Sequence, residues 1–264
     1  MAVRLIFTLS CWLIVAGIPV AAAAPPPLTV AAAANLSDVF ELVKDGFTHA
    51  TGIPVILSYG STQQLTQQIE NGAPFDLFAA ADREHVDKLK QEQLLTPGSE
   101  SLYALGHLVL WCAANPEAVH NLADLRKPEI RYLAIAKPET APYGLAARQA
   151  LQAAGLWKEL SSKIVYGENI DLVRQYVSSG NADCGFVAES LVVHESGGLN
   201  PVDEKLYQPI EQWMGILRDS SHQAQAERFK AFLLGPTGRA LLAKHGYSVP
   251  LQGKTAPAPA AARR

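Results

Sequence analysis

"LTVAAAANLSDVFELV", residues 28–43, changes its period half-way along. Leu28 to Ala33 is a short unbroken apolar run, the pattern of a strand covered on both faces. From Leu36 onward the apolar residues fall at Leu36, Val39, Phe40, Val43 and Phe47, which is the spacing of a helix with one buried face. Between the two lies Asn35-Leu36-Ser37-Asp38, a string of helix-starting residues. A strand that runs straight into a helix is the repeating unit of a parallel α/β sheet.

The same alternation continues outward. "IPVILSYG" (53–60) reads as a strand, Ser61 to Asn71 as a helix stopped by Gly72, and "FDLFAAA" (75–81) as a third strand with Asp82 placed to cap the next helix. Asp76 reads as a strand-start residue. A second unit follows in similar order: strands in "GHLVLWCA" (106–113) and "RYLAIAKP" (131–138), a helix in "YGLAARQALQAAG" (143–155), a strand in "KIVYG" (163–167), a helix in "NIDLVRQYVSSG" (169–180) and a strand in "ADCGFVA" (182–188). An extended stretch, "YQPIEQWMGILRD" (207–219), precedes two closing helices, "AQAERFKAFLLG" (224–235) and "PTGRALLAKHG" (236–246). With crossing points near 108 and 214, the expected architecture is a two-lobed α/β fold, each lobe a mostly parallel sheet flanked by helices, facing across a cleft. Residues 28–107 plus 217–250 form the expected first lobe and 108–216 the second.

The two ends are set apart by composition. Arg4, the apolar run Leu5 to Val20 and the small residues Ala21 to Ala24 predict a secretory signal peptide over 1–24, cleaved on export to a periplasm. The run is shorter than the roughly 20 residues a membrane span needs. "KTAPAPAAARR" (254–264) is low-complexity, and 251–264 is expected to be a disordered tail. The remaining cysteines, Cys112 and Cys184, lie in apolar strand-like stretches. An oxidising compartment would permit a disulfide, but nothing in the sequence sets the two strands side by side, so two separate buried thiols are expected.

Of 264 residues, 48% are hydrophobic and the net charge is -3, which gives no electrostatic ground for nucleic acid or anionic membrane as a partner. The seven histidines are scattered without metal-ligand spacing, and there is no H-E-x-x-H, G-x-S-x-G, P-loop or G-x-G-x-x-G. What stands out is a set of four strand-to-helix turns rich in hydroxyls, amides and small residues: "AANLS" (33–37), "YGSTQ" (59–63), "APYGL" (141–145) and "GENID" (167–171). Each taken alone is explained by ordinary helix capping. Two per lobe, at the carboxyl ends of parallel strands, also make an anion site from free N–H groups and helix dipoles. Other singular residues have plainer readings: Trp111, Trp157, Trp213 and Phe78 as packing, His107 as a surface or hinge histidine, and the charged faces around Arg83–Lys90 and Glu227–Lys230 as solvated.

From Leu28 to Pro250 the chain resembles the periplasmic molybdate-binding proteins of ABC transporters. "TVAAAANL", "GSTQQLTQQIENGAPFDLFAAAD", "APYGLAARQAL", "GENI" and "GPTGRALLAKHGY" carry the resemblance, and "QQIENGAPFDLFAAAD" (67–82) is its most specific part. The resemblance implies a monomeric binding protein, not an enzyme, that needs no cofactor. Its ligand is molybdate or tungstate, held by neutral donors, and its partner is a membrane permease. Carried over by position, the donors are Ala34 and Asn35, Ser61 and Thr62, and main-chain N–H groups at Tyr143 and Ile170. Some members place a tyrosine where this chain has Ala188, and the Asn35 amide is expected to compensate.

A donor-only pocket suits a fully deprotonated oxyanion, whereas the proton of HPO4²⁻ would face N–H groups and be rejected. Asp38, the nearest acid, is expected to lie along its own helix in capping-box fashion. Sulfate matches molybdate in donor pattern, so a protein for another tetrahedral oxyanion is the alternative. An enzyme acting on a small anion in the same cleft would need a proton-transfer group that the turns do not offer.

Overall fold

The computed structural model describes residues 25–250; the expected signal peptide and tail lie outside the described residues. In chain order the elements are β1 (Leu28–Ala33), α1 (Ser37–Thr51), β2 (Val55–Gly60), α2 (Thr62–Glu70), β3 (Leu77–Ala79), α3 (Glu84–Gln91), β4 (Ser101–Gly106), β5 (Leu108–Cys112), β6 (Leu133–Ala136), α4 (Pro142–Ala153), α5 (Trp157–Leu160), β7 (Ile164–Gly167), α6 (Ile170–Ser178), β8 (Cys184–Ala188), β9 (Gly198–Pro201), β10 (Ile210–Ile216), α7 (Gln223–Leu234) and α8 (Pro236–Lys244).

They build two five-stranded sheets, β2-β1-β3-β10-β4 and β7-β6-β8-β5-β9. Each has a parallel trio, β2-β1-β3 or β7-β6-β8, and one reversed strand, β10 or β5, that pairs antiparallel on both sides. Both reversed strands directly follow a crossing between the sheets. Residues 210–216 thus belong to the first sheet, which corrects their assignment to the second lobe. Sequence pattern marks a strand but not its neighbours, and this one is inserted between β3 and β4 through pairings as distant as Met214 with Ala79.

β1 sits inside its sheet, with Leu28, Val30, Ala31 and Ala32 fully buried; residues covered on both faces read as a continuous apolar run for that reason. α1 buries Val39, Phe40, Val43 and Phe47 and ends at Gly52, whose φ of 72° is a left-handed cap open to glycine at little cost. Phe40 and Phe47 meet Phe229 edge-on, with ring centroids 6.1 and 5.2 Å apart, and this fastens α7, the first of the two closing helices, onto the first lobe. Asp76 does more than start a strand. Its buried carboxylate accepts from the Thr29 N–H (2.7 Å) and the Ser220 hydroxyl (2.6 Å), tying β1 and β3 to the returning chain.

The cysteines are paired. Cys112 ends β5 and Cys184 starts β8, adjacent antiparallel strands whose register sets the two residues opposite each other, and a disulfide joins them. The expectation of two free thiols fails for the reason that misplaced β10: strand adjacency across 72 residues is decided by topology, which the local pattern does not carry.

Candidate anion-binding site

The four turns converge. A small cavity between the lobes is lined by Ala33, Ala34, Asn35, Gly60, Ser61, Thr62 and Ala81 from the first lobe, and by Ala141, Pro142, Tyr143, Asn169 and Ile170 from the second. Its volume, about 10 Å³, is far below what a sugar or a peptide would need. A larger open depression of about 470 Å³ lies between α1 and β2, beside Lys44, Asp45 and His49. It contains none of the four turns.

Each turn presents hydrogen-bond donors by a local device. Ser61 caps α2 in a reciprocal capping box: its Oγ accepts from the Gln64 N–H (3.4 Å) while its own N–H donates to Gln64 Oε1 (3.3 Å). The Thr62 Oγ1 accepts from the Ala81 N–H at 3.2 Å. Both hydroxyls have an acceptor role filled by main chain, which leaves their protons to donate into the cavity. Asn169 caps α6 by accepting from the Leu172 N–H (2.9 Å), so the Ile170 N–H in the first turn is left for a ligand. Pro142 occupies the first position of α4 and has no N–H, which makes Tyr143 and Gly144 the first main-chain donors there.

Gly144 is required for that placement. A Cβ on it would stand 2.2 Å from the Ala136 carbonyl oxygen at the end of β6. Gly144→Ala is expected to destabilise the protein by about 1–3 kcal/mol and to weaken anion binding by displacing the start of α4. Denaturant unfolding and calorimetric titration check both.

All six residues singled out from the sequence line this one cavity, but Asn35 is oriented otherwise than expected. Its Nδ2 donates to Gln212 Oε1 (2.9 Å) and to the Tyr247 hydroxyl (2.8 Å), and its carbonyl oxygen accepts from Ser190 Oγ (2.8 Å) and Tyr247 (2.9 Å). Both hydrogens of the amide are engaged away from the cavity, so the amide does not stand in for the tyrosine missing at Ala188. The main-chain N–H groups of Ala34 and Asn35, at the start of a 3₁₀ turn, are what that loop offers. Asp38 does not line the cavity and does not cap α1; it bonds Arg174 across the cleft instead.

Gln212, Tyr247 and Ser190 escaped the sequence reading because they reach Asn35 from 155 to 212 residues away. Only Gln212 left a local sign, as a polar residue beside Glu211 in a strand whose other members are apolar or glycine; it is fully buried.

No residue lining the cavity carries a formal charge. Burial holds the phenols of Tyr103, Tyr143 and Tyr247 well above their ordinary range, so they stay neutral. The Tyr143 hydroxyl is buried without a partner, beside Gly106 at the crossing between lobes. His85 stands one layer back, with Nε2 2.6 Å from Gln63 Oε1 and Nδ1 2.8 Å from Asp82. Burial opposes its charged form, but hydrogen bonding to Asp82 and that carboxylate's charge outweigh burial and raise its pKa. Asp82 also accepts from the His85 N–H, as the capping expectation had it.

The model of the bacterial extracellular solute-binding protein family matches residues 28–248, almost the whole described chain. The chain belongs to that family. Among its relatives in this family, a molybdate-binding protein of Azotobacter vinelandii is 38% identical over 89% of this chain and 94% of its own length. One of Rhodobacter capsulatus is 36% identical over 85% and 89%. The solved structure of a periplasmic molybdate-binding protein of Azotobacter vinelandii superposes with a TM-score of 0.82 at 34% identity, covering 85% of this chain and all of that one. The two-lobed architecture of the solute-binding family is therefore the architecture of this chain.

Proposed function

We propose that this protein captures molybdate or tungstate outside the cytoplasm and delivers it to an ABC importer. The observation that carries this is a cavity of uncharged residues closed by both lobes, in a chain whose similar proteins are named molybdate-binding proteins. Molybdate at neutral pH bears no proton, so every oxygen accepts. Two hydroxyls and the N–H groups of Asn35, Thr62, Tyr143 and Ile170 supply about six donors, each worth about 1.5–3 kcal/mol to a charged acceptor. Together they gross on the order of 9–18 kcal/mol, against the roughly 12 that nanomolar binding requires and before the cost of ordering the lobes.

The buried disulfide supports export to an oxidising compartment independently of any relative. The lining offers no group that shuttles protons near neutrality, which supports capture without turnover.

Thermal shift against molybdate, tungstate, sulfate and phosphate tests the proposal. Molybdate and tungstate are expected to raise the melting temperature and phosphate to leave it unmoved; stabilisation by phosphate alone would overturn it. Thr62→Ala is expected to weaken molybdate binding about 10- to 100-fold, and Asp38→Ala only a few fold. Equal effects would put the anion elsewhere.

A further inference from the structure

We propose that Arg174 and Asp38 form a latch across the mouth of the cleft, which sets how long the lobes stay shut on the captured oxyanion. Arg174 lies one turn into α6 from the site residue Ile170, in the second lobe, and Asp38 lies in the first turn of α1, in the first lobe. The Arg174 Nη1 donates to Asp38 Oδ2 at 2.7 Å and to the Leu191 carbonyl oxygen at 3.3 Å, while Nη2 pairs with Asp171 on its own helix at 2.5 Å.

One guanidinium is thus shared between a carboxylate of its own lobe and one of the opposite lobe. With both carboxylates in place its single positive charge is more than offset, and it is not among the residues lining the cavity. It acts on the ligand through closure and not through contact.

The geometry also explains why the latch releases. Opening removes Asp38 but leaves Asp171, so the guanidinium is never stranded without a counter-charge. The two side chains retain 21% and 40% of their exposure, so water competes with the pair and keeps it weak. A pair of this exposure is worth about a two- to fivefold change in an equilibrium constant, enough to tune residence without locking the cargo in. Two neutral contacts between the lobes accompany it: the Gln63 N–H donates to the Thr140 carbonyl oxygen (3.2 Å), and Ser190 Oγ to the Asn35 carbonyl oxygen (2.8 Å). Of these three contacts, only the Arg174–Asp38 pair is screened by salt.

The proposal rests on the oxyanion reading, and two measurements keep the two separable. Release of radiolabelled molybdate into excess unlabelled molybdate is followed for the wild type, Asp38→Asn, Arg174→Gln and the double variant. At low salt each single variant is expected to release about two to five times faster than the wild type, and the double variant no faster than the faster single. At about 1 M salt the difference shrinks. Small-angle scattering from the unliganded proteins reads the latch without cargo, and a larger mean radius of gyration is expected for each single variant. Wild-type release rates in both single variants, or a double variant that multiplies their effects, would overturn the latch. Should the wild type bind no molybdate while the variants still expand, the oxyanion reading fails and the latch stands. Should no variant expand in that case, both fail.

Discussion

Ser61→Asp is expected to leave the protein folded and to reduce its affinity for molybdate at least a thousandfold. Aspartate is as good a helix cap as serine, so the bond from the Gln64 N–H survives and the first turn of α2 still meets a favourable negative charge. In the cavity the same change is severe. It replaces a donating hydroxyl with a carboxylate that only accepts, among neighbours that carry no charge to offset it. Two unit charges about 4 Å apart repel by on the order of 4 kcal/mol at an effective dielectric near 20. A dianion feels more than this, and a thousandfold loss corresponds to about 4 kcal/mol. A melting curve near that of the wild type, with no heat of binding on titration, is the expected pair of results. Affinity within about tenfold of the wild type, a loss of no more than about 1.4 kcal/mol, would mean that Ser61 does not face the ligand.

Removing the disulfide is expected to destabilise the second lobe about as strongly. The bridge closes a loop of 72 residues, and the chain-entropy relation gives about 4 kcal/mol for a loop of that length. Both sulfurs are fully buried, so Cys112→Ala with Cys184→Ala tests the cross-link without burying a new hydroxyl. Denaturant unfolding should show a loss of about 2–4 kcal/mol, reproduced by reducing the wild type and absent when the double variant is reduced. No difference between oxidised and reduced wild type would contradict it. The bridge joins the reversed strand β5 to β8, on the sheet that positions α4 and α6. A reduced protein is therefore expected to bind the anion more weakly as well.

Much of this was legible in the chain because it is written locally. The switch of period at Asn35 placed β1 before α1, Ser61 and Thr62 marked the start of α2, and Pro142 and Asn169 those of α4 and α6. Those signals bring the four turns to the carboxyl ends of parallel strands; the resemblance picks Ala34, Asn35, Ser61, Thr62, Tyr143 and Ile170 out of them, and the structure places all six around one cavity.

What was hidden is long-range. The insertion of β10 between β3 and β4, the pairing of Cys112 with Cys184, and the grip of Gln212 and Tyr247 on the Asn35 amide all join segments 72 or more residues apart. Asp38 shows the same limit. Its position in a first helical turn suggested a cap, but the carboxylate goes to a cation supplied by the other lobe. Local preference fixes what an element is, while the partners of its side chains depend on which elements the topology sets beside it.

Uncharged donors on four loops replacing the hydration of a fully ionised oxyanion is the central claim. The most direct measurement is a crystal structure of the protein soaked in molybdate, with the metal located by its anomalous scattering. The ion is expected in the cavity between Ser61, Thr62, Tyr143 and Ile170, each oxygen facing N–H or O–H groups alone. A lysine, an arginine or a bound cation in contact with the oxyanion, or density only outside that cavity, would contradict the account.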